Sequence, residues 1–260
     1  MPAIDRIFEK LGIRRPGPGR ADHGDRNKNI EYNRKLFNHY ARYWTKESTY
    51  LDNPLVADRE TYLQYIGDEW GRVEDLPAII DDMVRPFVGK STIAAEIGSG
   101  GGRMASKVAP LVGRLTCFDI ADAFLEKARQ ALAEHRNIDY VLLGDKLFEP
   151  VPDASFDYVY SFDVLVHLDL HTLWRYFTYV HRLLKKDGLF FAHTSNLRAP
   201  GGWANFSDQQ EYTIEGHYFI VPEIVDLFCE KAGFAKVKVA PIDAANFYYN
   251  RDYLCVLRKV

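Results

Sequence analysis

From residue 92 onward the chain is written in a texture that few folds can accommodate: short apolar runs alternate with amphipathic stretches. Residues 92–97 read as a buried strand that runs into a cluster of glycines, and residues 104–109 as a helix closed by Pro110. Residues 114–120 form a second strand, and Phe124, Leu125, Ala128 and Leu132 mark one face of the next helix. Strands at 140–143 and 156–161, a helix at 170–184 and a strand at 189–193 continue the series. After a long connection, a helix at 222–232 has Pro222 in its first turn and Gly233 just past its end. Strands at 236–240 and 253–257 close the chain. Strands separated by helices pair in parallel, because each crossover returns the chain to the same edge, and the helices cover both faces. The expectation is an α/β fold.

The first 88 residues read differently. Residues 4–13 hold enough apolar positions for two or three helical turns. Arg14-Arg15-Pro16-Gly17-Pro18-Gly19-Arg20 and a polar run then argue for a flexible segment over residues 1–30. Over 31–88 the periodicity is helical: Tyr32, Leu36, Tyr40 and Tyr43/Trp44 recur on one face, and Ile79, Ile80, Met83 and Val84 on another. This part is expected to be a helical cap on a core spanning 89–260.

Composition narrows the function classes. Of 260 residues, 47% are hydrophobic, which supports a sizeable core. Lys+Arg 33 against Asp+Glu 36 gives a net charge of −3, so no strong field for nucleic acid or an anionic membrane is expected. Cys117, Cys229 and Cys255 lie far apart in apolar runs and read as buried thiols, with neither disulfide framework nor metal spacing. No membrane span or secretory leader is read, so a cytoplasmic protein without a structural metal is expected; a homo-oligomer is left open.

The chemistry begins at Glu96-x-Gly98-x-Gly100-x-Gly102. A strand that ends in glycines and starts a helix brings backbone close to a ligand, at positive φ angles that a Cβ resists. Alone, the turn also suits dinucleotide enzymes and ordinary strand–helix turns. Glu96, on the strand itself, suits a ligand with an ammonium group and would be unhelpful beside a pyrophosphate. Asp119 ends the next strand, about 20 residues after Gly98, where an acid can accept from both ribose hydroxyls. Together they describe a nucleoside that carries positive charge.

In this order the motifs resemble those of the class I S-adenosylmethionine-dependent methyltransferases. Glu96-Ile97-Gly98-Ser99-Gly100-Gly101-Gly102 resembles the first motif of that family, and Thr116-Cys117-Phe118-Asp119-Ile120 its ribose-binding strand end. Leu143-Gly144-Asp145 resembles the segment whose acid contacts the adenine amino group. Residues 155–161 with Val164-Leu165-Val166-His167-Leu168 resemble the fourth-strand region. Residues 183–191 resemble the turn into strand five, with Asp187 where a glycine is often found. The resemblance covers residue 90 to the end. It implies a Rossmann-like seven-stranded, mostly parallel sheet with the last strand antiparallel. It also implies S-adenosyl-L-methionine as cofactor, held by Glu96, Gly98, Ser99, Gly100 and Gly102 on one strand end and Asp119 and Ile120 on the next. Asp145, Lys146, Ser161 and Phe162 complete that implied set.

For the acceptor side, His167 is the first candidate general base, just past the carboxyl end of the fourth strand. His193, ending the fifth strand, and Asp163 are the other catalytic candidates. The long connection over 193–221 carries Trp203, His217 and Tyr218, whose rings suit a small polyhydroxylated acceptor. Tyr43 and Trp44 of the cap are further candidates for closing the site. A hydroxyl of a small molecule, such as a sugar or secondary metabolite, is the expected methyl acceptor. An amine acceptor and a non-catalytic nucleoside-binding module are the alternatives.

Overall fold

The computed structural model describes residues 28–45, 66, 71–211 and 216–260. The helix read at 4–13 and nearly all of the flexible segment read at 1–30 lie outside the described residues. Helix α1 (Lys28–Tyr43) comes first. A helical run follows, α2 (Leu76–Ile79) passing into a π-turn (Ile80–Val84). The sheet then forms from β1 (Ile93–Ile97), β2 (Arg114–Asp119), β3 (Ile138–Leu142) and β4 (Phe156–Ser161), with β5 (Leu184–Ser195), β6 (Phe234–Val239) and β7 (Asp252–Lys259). Between them lie α3 (Ala105–Val108), α4 (Asp122–Ala131), α5 (Leu170–Leu183), α6 (Pro200–Asp208), α7 (Pro222–Ala232) and α8 (Phe247–Arg251).

The seven strands run in the order β3-β2-β1-β4-β5-β7-β6, with β7 antiparallel to both its neighbours. Side chains alternate between two cores, as the pleat requires. Ala95, Ile97, Val159, Phe190 and Cys255 face one side, where α5 adds Leu173, Phe177 and Val180 at helical spacing. Ala94, Cys117, Tyr158, Tyr160 and Val256 face the other, against Leu76, Ile79 and Met83. Each fully buried Leu or Phe contributes roughly 1.5–3 kcal/mol relative to exposure. Asp169 caps α5 by accepting from the backbone N–H groups of His171 and Thr172, both at 3.0 Å.

Three features differ from the sequence reading. The buried face of α1 is Ile30, Asn33, Tyr40, Ala41 and Trp44, whereas Tyr32 and Tyr43 are exposed. A polar residue, Asn33, sits in the buried row and hides it from a search for apolar periodicity. The long connection after β5 contains α6, and the hairpin before β7 contains α8, capped by Asn246. Strand β5 begins at Leu184 rather than 189, and Asp187 takes a left-handed φ of 62° at the start of the pairing.

The strand order reverses between β1 and β4. In an open α/β sheet the crevice at the carboxyl ends of such strands is where ligands gather.

Candidate active site

A pocket occupies that crevice, lined by the glycine turn after β1, the end of β2, the Phe162–Val164 segment after β4, and α1. The turn needs its glycines for separate reasons. Gly98, Gly100 and Gly102 have φ of 72°, 51° and 94°. A Cβ on Gly98 would come within 2.3 Å of Val164, and one on Gly102 within 2.7 Å of Leu132, whereas Gly100 faces open space. Its backbone N–H donates to Asp119 Oδ2 at 2.8 Å, tying the turn to the neighbouring strand.

Two buried acids line the pocket. Burial pushes the Glu96 carboxyl well above the usual carboxylate range; among the described residues the Tyr160 hydroxyl (3.1 Å) and the Cys117 thiol (3.9 Å) donate to it. Asp119 is pushed up to about 6 by burial, against the pull of the Ala121 and Gly100 N–H groups. Ser99 Oγ is buried without a hydrogen-bond partner among the described residues. Acids held above their ordinary range gain most from a cationic ligand, and an orphaned hydroxyl gains from a polar one. These residues fit a positively charged nucleoside.

The facing wall is built from charges. Arg103 Nη2 meets Asp163 Oδ2 at 2.5 Å across the crevice, and both residues line the pocket. Asp163 holds a left-handed φ of 56°, with its N–H donating to His193 Nδ1 at 3.0 Å. That bond makes Nδ1 the acceptor, so Nε2 carries the ring proton and faces Asp252 Oδ2 at 2.9 Å. Although burial opposes it, the Arg251 guanidinium holds the Asp252 carboxyl down to about 2. Burial, the largest single influence, likewise opposes ionisation of Asp163, and Arg103, His193 and Arg251 together outweigh it, holding that carboxyl below its ordinary value. Arg103 also donates to the Tyr248 hydroxyl at 3.3 Å and lies over the Phe162 ring.

His167 lines the pocket beside this network. Its Nδ1 is 3.2 Å from the Gly216 carbonyl, which can only accept, so Nδ1 carries the proton and Nε2 the lone pair. Burial lowers its pKa below the ordinary imidazole value, so the ring is neutral near pH 7. It packs edge-on against Phe37 of α1 and against His217, itself pushed down to about 3 by burial.

Of the residues expected from sequence, Glu96, Gly98, Ser99, Gly100, Asp119, Ile120, Phe162, Asp163 and His167 meet around this one pocket. Gly102 stands behind the turn. Ser161 is fully buried, donating to the Ile97 carbonyl at 3.1 Å. His193 is also fully buried, behind Asp163. Asp145 has a side chain 86% exposed and pairs with Arg34 at 3.0 Å, and Lys146 is exposed beside it. Trp203 is exposed on α6, its ring tilted against that of Phe206, while Tyr218 donates its N–H to the Val166 carbonyl at 2.7 Å. Trp44 is buried with Tyr40 and Phe124, and Tyr43 is exposed. Sequence reasoning missed Arg103, Asn33, Phe37, Arg251 and Asp252. Arg103 directly follows the glycine motif, and Asn29, Asn33 and Phe37 are spaced at helical i, i+4, i+8; those were the available signals.

A family described as "Methyltransferase domain" matches residues 95–192. No curated protein matches the sequence at a significant level. Among solved structures, an S-adenosylmethionine-dependent methyltransferase from Archaeoglobus fulgidus is similar at 16% identity and a TM-score of 0.58, over 75% of this chain and 99% of that one. One from Mesorhizobium loti is similar at 19% identity and a TM-score of 0.56, over 71% and 97%. The [4+2]-cyclase SpnF is similar at 14% identity and a TM-score of 0.57, over 72% and 81%.

Proposed function

We propose, on the premise that this chain belongs to the class I S-adenosylmethionine-dependent methyltransferases, that it methylates a hydroxyl group of a small molecule with His167 as general base. The observation that carries this reading is the 3.2 Å approach of His167 Nδ1 to the Gly216 carbonyl. A neutral imidazole whose Nδ1–H is tied to a carbonyl keeps its Nε2 lone pair for the acceptor's proton.

S-Adenosylmethionine bound in the pocket supplies a methyl group activated by its sulfonium. Glu96 and Asp119 take the ammonium and ribose ends, and the turn at Gly98 and Gly100 lets backbone approach the ligand closely. His167 accepts the hydroxyl proton on Nε2 and, as imidazolium, stays held through Nδ1 by the Gly216 carbonyl. Burial makes this imidazole a weaker base than one in water, which favours acidic hydroxyls such as phenols over simple alcohols. Phe37 and the apolar lining exclude water from the transfer. Trp203, His217 and Tyr218 are proposed to meet the acceptor from the α6 side, and His193 and Asp163 to position that wall. The net charge of −3 supports a small, uncharged acceptor over nucleic acid, and a cytoplasmic setting accords with three free buried cysteines.

Labelled methyl transfer to a panel of sugars, phenols and amines, with mass analysis of the products, tests this reading. A methyl ether is the expected product. Exclusive N-methylation would remove the need for His167 as base and favour an amine acceptor.

A further inference from the structure

Helix α1 lies outside the sequence matched by the methyltransferase family, yet it contributes Ile30, Asn33 and Phe37 to the pocket. Asn33 is a polar side chain left 3% exposed in an otherwise apolar row. Its amide orientation is fixed by its neighbours. The nitrogen donates to the Asn29 carbonyl at 2.9 Å and to Asn29 Oδ1 at 3.2 Å. Asn29 in turn is oriented by its own nitrogen, which donates to the His167 carbonyl at 3.3 Å. Exchanging nitrogen and oxygen on Asn33 would set its oxygen against two acceptors. Asn33 Oδ1 therefore faces away from Asn29, and it is buried with no hydrogen-bond partner among the described residues.

Its place in the pocket identifies the end it serves. Arg34, the next residue, donates to the Leu143 carbonyl at 3.4 Å and to Asp145 at 3.0 Å, so this turn of α1 stands over the end of β3. Ile30, one turn earlier, packs in the cluster that holds Leu143, Leu168 and Tyr176. With the ribose read at Asp119, the strand end beside it is that of β3, where the Leu143 N–H donates to the Asp119 carbonyl at 2.7 Å, and we place the base there. Asp145, the acid expected to read that base, is turned to solvent and neutralised by Arg34.

We infer that Asn33 Oδ1 accepts a hydrogen bond from the exocyclic amino group of the adenine, making α1 part of the cofactor site. This rests on the cofactor reading above. The assignment explains a buried acceptor that would otherwise stay unpaired. It also gives α1 a selective role: a carbonyl locked as an acceptor rewards an amino group and opposes a keto oxygen at the same position.

Calorimetric titration of the full chain with S-adenosylhomocysteine and with its inosine counterpart, in wild type and Asn33→Leu, tests the inference without any turnover. Wild type is expected to prefer the adenosyl compound by about tenfold or more, because the inosyl oxygen meets an acceptor. Asn33→Leu should bring the two affinities within about twofold of each other. If leucine prevents folding, Asn33→Ala makes the same comparison. An equal affinity in wild type, or a preference that survives the substitution, would overturn the inference. Absence of binding by both compounds to wild type would instead strike the cofactor reading itself.

Discussion

The two walls of the pocket are built by opposite means. On the β1–β2 side, the ligand-facing atoms come largely from one stretch, 96–119, and the work falls to backbone, glycines and two buried acids that no lysine or arginine pairs with among the described residues. On the β4–β5 side, Arg103 and Asp163 line the pocket and His193, Arg251 and Asp252 back them, a group far apart in sequence and nearly self-neutralised. The first wall is poised to gain charge from a ligand. The second has already satisfied its charges internally and presents shape, together with one free imidazole lone pair. Affinity for the cofactor and chemistry on the acceptor should therefore separate under mutation.

The sharpest separation is expected at Asp163. Asp163→Asn keeps a residue that tolerates the left-handed backbone but removes the carboxylate that Arg103 meets. Loss of one partner of a buried pair costs about 3–5 kcal/mol. Denaturant unfolding should show a loss of that size; a midpoint unchanged from wild type would mean the charged wall is not a unit. Next comes the glycine turn. Gly98→Ala forces a Cβ against Val164 at a positive φ and should cost about 1–3 kcal/mol of stability. Gly100→Ala, with open space around its Cβ, should weaken S-adenosylhomocysteine binding more than it lowers stability. Equal effects from the two would erase the distinction between packing and ligand approach.

A smaller effect is expected from Asp119. Its folded-state pKa of about 6 lies above the unfolded value of about 3.9. In the ligand-free chain its contribution to stability is thus fully present below about pH 4 and lost as pH rises through about 6. A ligand that hydrogen-bonds the ionised carboxylate reverses this preference. Binding of S-adenosylhomocysteine should release protons near pH 6 and tighten between pH 5 and 7, as calorimetry in buffers of different ionisation enthalpy would show. Proton uptake would contradict it.

The same contrast accounts for what could be read from sequence. The strand, the glycines, Glu96 and Asp119 were legible because their spacing lies within one βαβ unit, where local pattern and function coincide. The seven-stranded, mostly parallel sheet with its antiparallel last strand was likewise expected, from the resemblance of the motif series, whereas the order of the strands was not read. His167 was legible as a candidate only, since its tautomer depends on Gly216, some fifty residues on. The charged wall was hidden because Arg251 and Asp252 sit at the junction of α8 and β7, in a segment that read as a plain hairpin connection. Asn33 was hidden for a different reason: a polar residue on a buried helix face breaks the apolar period that reveals such faces, and the face through Tyr32 and Tyr43 was read instead. Asp145 carries the expected motif, yet Arg34 draws it outward, a contact between segments that no local spacing records.

His167 is proposed to carry the chemistry while leaving the cofactor wall untouched. The most direct test is the pH profile of turnover at saturating cofactor for wild type and His167→Ala, alongside their affinities for S-adenosylhomocysteine. Wild-type turnover should fall on an acidic limb below pH 6.5, following the lowered imidazole pKa. The variant should lose about 10²–10⁴-fold in rate, lack that limb, and bind the cofactor product as before. A variant that turns over at the wild-type rate with the same acidic limb would contradict the account.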